Sequence, residues 1–402
     1  MAQKKQNIQI DNLKDEIFTI DGEGLKTLVQ TVIQQLWETE MTECLGAAKS
    51  ERSGGRLGYR SGYSPRNLIT RVGVLELRIP QDRDGRFSTE LFERYSRSEK
   101  ALFGLLTEMY IQGVSTRKVK AVTEELCGHG FSSSSVSRMC ASMDESLKQF
   151  ADRPLEREYP YLILDARYEK VRENGIVSSR AVLIAVGIDW EGKRSVLGVG
   201  LANRESKNSW RDFLISLKTR GLRGVEFAVT DDHDGLRRAI GEILPEAVWQ
   251  RCYVHFRRNA LDYLPRKADD DCLRELKWMY ERRALAEVKR GLALWLDKWA
   301  GKYPKLCAWV EDNIEETLSF YTLPFEHRKH MKSTNMLERF NEELKRRTRV
   351  VRIFPNTDSC LRLILALAVE QDEDWIEGPR YINMDLLKEH KKLLLRKSAS
   401  AA

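Results

Sequence analysis

The chain has 402 residues, 42% of them hydrophobic, enough for two or three domains and at least one sizeable core, which excludes a disordered protein. Its 67 basic and 60 acidic residues leave a net charge of +7, compatible with a polyanionic partner but too mild to demand one, so the clustering of charge matters more than its sum. Seven cysteines at 44, 127, 140, 252, 272, 307 and 360 follow no disulfide-framework spacing; the first residues lead into charged sequence, and the longest apolar stretch, near Ala181, is too short to span a bilayer. A cytoplasmic protein with no membrane partner is expected.

In chain order, Gly22 to Ala47 carries Leu25, Leu28, Val29, Val32, Ile33 and Leu36 at three- and four-residue steps, which predicts a helix with one apolar face. With its flanks it makes an N-terminal helical region, residues 1–50, available for oligomerisation or for packing within the chain. Residues 51–95 change character: Gly and Arg are frequent, and Val72, Val74, Leu75, Leu77 and Ile79 give a short hairpin in a small basic module. Residues 96–152 read as three helices. The last two are separated by Cys127-Gly-His-Gly130-Phe, with Ser115 and a serine of the run Ser132 to Ser135 as caps and Gly128 or Gly130 as a stop. That is the outline of a helix-turn-helix or of an ordinary helical hairpin.

From Tyr159 the pattern alternates strands and helices. Tyr161-Leu-Ile-Leu-Asp165 is an apolar run ending on a carboxylate, as a strand buried on both faces would be. Ala181 to Asp189 and Ser195 to Leu201 flank the turn signal Trp190-Glu-Gly-Lys193; Lys207 to Leu217 has helical spacing. Val225 to Asp231 is a fourth strand ending on an acid, Gly235 to Leu244 a helix and Ala247 to Tyr253 a fifth strand. Helical periodicity then runs without an obvious strand to about Tyr321. Ser333 to Arg347 reads as a further helix, capped by Ser333, Thr334 or Asn335, and a C-terminal helical segment from Asp358 ends in a tail, from Lys397, that looks frayed.

Two acids at the ends of adjacent buried strands repel unless a cation lies between them, and transfer at a phosphodiester needs an activated oxygen nucleophile and a neutralised leaving oxygen, which two Mg²⁺ ions supply. Asp165 and Asp231 therefore stand out, with helix-borne Glu338 completing the pocket. A lone Asp in such a place is otherwise a cap or turn residue.

Three stretches resemble the prokaryotic Mutator-type insertion-sequence transposases: Asp231-Asp-His-Asp-Gly235-Leu236 through Pro245 to Gln250-Arg-Cys252-Tyr-Val-His255; Lys332-Ser-Thr-Asn335-Met-Leu-Glu338-Arg339-Phe-Asn341-Glu-Glu-Leu-Lys-Arg-Arg347 with Val350, Phe354 and Pro355; and, upstream, Gly58-Tyr59-Arg60-Ser-Gly62, Ile79-Pro80 and Gly113-Val-Ser115-Thr116-Arg117. The resemblance implies an α/β ribonuclease-H-like core, a mixed five-stranded sheet with flanking helices, carrying an all-helical insertion and preceded by a mainly α DNA-binding region. The core would take residues 155–264, the insertion 265–330, the catalytic helix 331–357 and a C-terminal helical segment 358–402. It further implies a DDE triad at Asp165, Asp231 and Glu338 holding two Mg²⁺ ions, with Mn²⁺ as substitute, and Cys252, His255, Arg339 and Asn341 beside the site.

Asp232 remains open as the second ligand and Glu342, one turn from Glu338, as the third. Cys252 and His255 either contact the active site or join His327 and His330 in a zinc site; His233 is a helix-start residue. Lys345, Arg346, Arg347 and Arg349, with Arg352, and at the other end Arg52, Arg56, Arg60, Arg66, Arg71 and Arg117 are candidate phosphate contacts, the bland alternative being solvated helix ends and turns. Tyr59 and Tyr63 either stack on bases or fill a small core. The expected partners are terminal inverted repeats, target DNA and a second copy of the chain. The readings to separate from a transposase are a nuclease or resolvase without strand transfer and an inactive DNA-binding regulator.

Overall fold

A computed structural model describes residues 22–51, 56–70, 73–85, 87, 100–127, 130–265 and 271–401. Arg52, Arg71, Val72, Gly128 and the 266–270 segment lie outside them. The chain forms two compact units, Met1–Ser142 and Met143–Ala402.

In the first unit, α1 (Gly22–Leu45) lies on an antiparallel hairpin of β1 (Arg60–Thr70) and β2 (Gly73–Asp82). Trp37, Leu68, Leu75 and Leu77 make the core, with Val29, Ile33 and Ile79 against it, so the period-two residues of β2 meet the helix. Gln34 locks the pair: its amide nitrogen donates to the Arg78 carbonyl at 2.7 Å and its oxygen accepts from the Arg78 amide at 3.0 Å. Only part of the predicted apolar face is used, since Leu25, Val32 and Leu36 stay exposed. Three helices follow, α2 (Lys100–Ile111), α3 (Thr116–Cys127) and α4 (Ser133–Ala141). Both caps are as expected: Ser115 Oγ accepts from Lys118 N, and Ser132 Oγ from Ser135 N. The expected third helix is broken at Ser142, whose hydroxyl donates back to the Met139 carbonyl at 2.6 Å. The remainder, α5 (Asp144–Asp152), belongs to the second unit.

The second unit is built on β3 (Tyr161–Glu173), β4 (Ile176–Ile188), β5 (Arg194–Ala202), β6 (Phe227–Thr230) and β7 (Val248–Arg251), with α6 (Lys207–Thr219) and α7 (Asp234–Ile243) between the last three strands. The sheet order is β5-β4-β3-β6-β7; β3 to β5 are antiparallel, and β6 and β7 run parallel to β3. β3 does not stop at Asp165. It runs on to an Asn174-Gly175 turn whose residues have φ of 49° and 80°, the two positive values a tight hairpin turn requires. One face of the sheet, including Leu162, Leu164, Leu183 and Ala228, packs with Trp210, Phe213, Leu214 and Leu217 of α6 and Leu236, Ala239 and Ile240 of α7.

A run of helices follows β7: α8 (Tyr253–Ala260), α9 (Asp271–Met279), α10 (Leu285–Trp299), α11 (Pro304–Asn313) and α12 (Phe325–Met331), with short 3₁₀ turns after α8 and between α11 and α12 and no strand among the described residues. The chain then returns as α13 (Asn335–Thr348) and α14 (Thr357–Glu377), the latter packed across β5 and β3 and tied to α5 by a two-bond Arg362–Asp144 pair at 2.5 and 2.7 Å. The last helix, α15 (Asp385–Ala401), continues through the segment expected to fray. Its Lys, Ser and Ala residues include no helix breaker.

Candidate active site

Strand register brings the first two acids together. Leu162 and Leu164 face α6 and α7, so Tyr161, Ile163 and Asp165 point to the opposite face. On β6, Ala228 shares the α6/α7 face, which turns Phe227 and Val229 the other way. Tyr161 pairs with Phe227 and Ile163 with Val229. Asp165 and Asp231 follow these paired residues, Asp231 just past the end of β6, and both line one cleft, where the Asp231 carboxylate acts on Asp165. Asp232 is outside that lining and is ion-paired to the fully buried Arg251.

The start of α13 supplies Glu338. Two contacts join it to the start of α8: Tyr253 N donates to the Lys332 carbonyl at 3.1 Å, and Thr334 N and Oγ1 both donate to Cys252 Sγ, at 3.4 and 3.5 Å. Thr334 occupies the cap position of α13 without capping it, because its hydroxyl is spent on that sulfur. The consequence is that His255, one turn into α8, stands with Nε2 3.3 Å from Glu338 Oε1.

Asp165, Asp231, His255, Glu338 and Asn341 line one open cleft of about 910 Å³. Asn341 Nδ2 donates to Asp165 Oδ2 at 2.7 Å and Ala166 N to Oδ1 at 2.9 Å. Burial, with Asp165 only 7% exposed, and then the neighbouring Asp231 carboxylate push the Asp165 carboxyl up to about 7. The Cys252 sulfur, against burial, raises His255 to about 9, helped by the carboxylates of Asp165 and Glu338. His255 Nδ1 is itself buried without a well-formed hydrogen bond. Burial alone would raise the Cys252 thiol, but His255 and Thr334 bring it below its ordinary value. Asp231 Oδ1 is likewise buried without a hydrogen-bond donor, which is costly for a carboxylate oxygen unless a cation or donor is supplied from outside the chain, whereas Glu338 Oε1, also without a well-formed hydrogen bond, faces His255 Nε2. Among the described residues no three His, Cys, Asp or Glu side chains converge closely enough to share one ion.

The model for the Mutator family of transposases matches residues 1–378. A transposase for insertion sequence element ISRM5 of Rhizobium meliloti is 65% identical over 96% of this chain and 96% of its own length. Those for IS406 of Burkholderia multivorans and for IS256 in transposon Tn4001 of Staphylococcus aureus are 43% and 39% identical, over 90% and 92% of this chain and 93% and 95% of theirs. The chain belongs to the Mutator family of transposases. A solved simian T-cell lymphotropic virus intasome aligns over 34% of this transposase and 48% of the matched chain at 13% identity and a TM-score of 0.14, too low to bear on the fold.

Of the predicted cations in this unit, Lys345 and Arg349 line the cleft of the transposase, together with Arg352. Arg346 is bound to Glu343 at 2.6 and 2.8 Å, and Arg347 is buried against Glu343 and Glu370, so neither is presented to the cleft. Arg339 is also outside the cleft lining; its charge is felt at Arg194 and Tyr381. Glu342 is exposed at the cleft margin. Arg167, Lys170 and Arg258 line the cleft without having been singled out. The alternation 165, 167, 169 along a strand extended to the Asn-Gly turn is the signal that exposes Arg167 and Glu169. These two bond to each other and to Thr348, and Arg167 also reaches the Asn341 carbonyl, pinning α13 against β3.

The four-residue zinc arrangement does not form. His327 Nδ1 lies 2.6 Å from Tyr161 Oη and Nε2 2.9 Å from the Asn383 carbonyl, while His330 packs edge-on against Tyr381. His233 caps α7 through Leu236 N at 3.2 Å. In the first unit Arg117 is exposed on α3, Arg66 is half-buried, Arg60 is paired with Glu38 at 2.5 Å, and Arg56 donates to the Gly58 carbonyl at 2.6 Å and covers the Tyr59 ring. Tyr63 donates to Glu38 at 2.7 Å. No helix among the described residues is long and apolar enough to cross a membrane.

Proposed function

We propose that this transposase cleaves and joins DNA strands at Asp165, Asp231 and Glu338 with two divalent cations, Mg²⁺ or Mn²⁺. The observation that carries this is the approach of Asp165 and Asp231, which follow the parallel β3–β6 pair into the lining of one cleft, close enough for the Asp231 carboxylate to act on Asp165. The donor set fits hard cations: the three groups are carboxylates, and Asp231 Oδ1 is buried without a donor. Bound ions would supply Lewis acidity to the scissile phosphate and acidify an attacking water or 3′-hydroxyl.

The chain's own residues do the rest. Asn341 and the Ala166 amide orient Asp165, and His255 sets a positive charge against Glu338. Lys345, Arg349 and Arg352 hold the phosphate backbone along the cleft. The mixed sheet with its acids on β3 and after β6 supports a ribonuclease-H-like core interrupted by a helical insertion. The α3–α4 pair, with its serine-capped turn, supports a helix-turn-helix role in binding terminal inverted repeats, and the joining of two DNA ends calls for a homo-oligomer.

The test is cleavage and strand transfer on a duplex carrying the element's own end, with Mn²⁺. Asp165→Ala, Asp231→Ala and Glu338→Ala are each expected to lose both reactions while still binding DNA, and Glu342→Ala to keep them. Native activity in the three variants would sink the two-metal reading; cleavage without strand transfer in the native chain would leave a nuclease.

A further inference from the structure

Beside the catalytic cleft a second cavity of about 480 Å³ opens between α8 and α9, lined by Val254, Leu261 and Leu273 and by the cations Arg257, Arg258, Arg274 and Lys277. No carboxylate among the described residues lines it. Arg274 is paired at 2.7 Å with Asp271, whereas Arg257, Arg258 and Lys277 have no ion-pair partner among the described residues, and Arg257 Nε is buried without an acceptor. Three unpaired like charges in one concavity, with Arg274 beside them, repel each other and concentrate a positive potential there, which a bound anion would relieve.

Arg258 lines this cavity and the catalytic cleft alike, so the two basic surfaces are continuous. A free anion would need only one of them. A chain of phosphates a few ångströms apart would engage both.

We propose that the α8–α9 cavity is a DNA-backbone subsite, in which Arg257, Arg274 and Lys277 hold phosphates of the same DNA strand that enters the catalytic cleft past Arg258. The inference rests on the catalytic reading above and extends it: the insertion would do more than bridge β7 to α13, because its first two helices would carry part of the DNA path. Contacts of this kind position the strand and read no sequence, so they act equally on element ends and on unrelated DNA.

The experiment uses the full chain, a fluorescent duplex bearing the element's end, a duplex of unrelated sequence, and inorganic phosphate alone. Affinity is titrated against salt for the native protein, for Arg274→Gln/Lys277→Gln, and for Lys148→Gln/Lys218→Gln as a control on exposed surface elsewhere in the unit. Each phosphate contact contributes about 0.9 to the slope of log affinity against log salt. The cavity variant is therefore expected to lose nearly two from the slope on both duplexes, narrowing the affinity loss between about 50 and 200 mM salt by roughly tenfold, with the control unchanged and thermal unfolding as in the native chain. An unchanged slope in the cavity variant overturns the proposal. So does a thermal shift with inorganic phosphate that the variant abolishes while its DNA slope stays native, which would make the cavity a small-anion site. Arg257→Gln supplies a second readout if the double variant fails to fold. The catalytic reading is judged separately, by whether Asp165→Ala abolishes cleavage in the same preparation.

Discussion

The arginines of the hairpin module and the cations at the end of α13 look alike in sequence, but the structure uses them differently. Arg60 sits 14% exposed and tied to Glu38 and Thr42, and Arg56 is folded onto the Gly58 carbonyl and the Tyr59 ring. These side chains hold a small β module together, where the core is only a helix on a two-stranded sheet. Lys345, Arg349 and Arg352, by contrast, line a cleft and have no carboxylate partner among the described residues. What distinguishes a positioning arginine from a structural one is therefore its partner. The partner is often remote in sequence, as Glu370 is for Arg347.

Adjacent acids give the sharpest way to break that comparison. Asp231→Asn should lower strand cleavage by about a thousandfold or more, as loss of an ion-holding carboxylate does, with thermal stability kept. Asp232→Asn should do the reverse: chemistry persists, but Arg251, with no exposure of its own, keeps only Glu316 at 3.4 Å as an ion-pair partner, beside the neutral Asn313 oxygen at 3.2 Å. Because Asp232 is 40% exposed, the cost is about 2 kcal/mol, less than for a fully buried pair. Kinetics and denaturant midpoints measured on both variants decide it; an inactive Asp232→Asn that unfolds normally would reassign the second acid.

The same contrast shows what could be read without coordinates. Periodicity marked Asp165 and Asp231 as ends of buried strands and placed Glu338 on a helix, because those signals are local and repeat along one element. The parallel pairing of β3 with β6, which leads the two acids toward each other, is a tertiary fact, and so is the Thr334–Cys252 contact that sets α13 against α8. Two further signals are local: the Asn174-Gly175 turn, which extends β3 and brings Arg167 and Glu169 to the cleft, and Ser142, whose side chain ends a helix. The fates of Arg346 and Arg347 were not legible, since helical spacing puts both near Glu343 and only packing against Glu370 buries one of them.

Substituting pairs of these cations separates the two kinds. Lys345→Gln/Arg349→Gln should weaken binding to any duplex by about tenfold at moderate salt and reduce the salt slope by nearly two. Arg346→Gln, taken from an exposed pair with Glu343, should change affinity and stability little. Equal slopes for the two variants would mean that cleft lining does not predict phosphate contact.

A last contrast concerns His330, which takes no part in the chemistry. Burial lowers His330 to about 4, and its ring packs on Tyr381 with centroids 4.5 Å apart. The folded chain therefore holds His330 neutral where the unfolded chain, near the ordinary value of 6.5, takes up a proton. Stability from this residue is complete above pH 6.5 and is lost as pH falls toward 4. The full shift would correspond to about 3 kcal/mol, and partial solvent contact brings the expected loss nearer 2 kcal/mol. His330→Phe keeps an aromatic ring against Tyr381 and removes the proton site. Denaturant midpoints taken across that range should then fall less steeply in the variant than in the native chain, whatever the other groups contribute to both. Parallel curves would show that His330 stays solvated, and that the contact with Tyr381 is packing without consequence for charge.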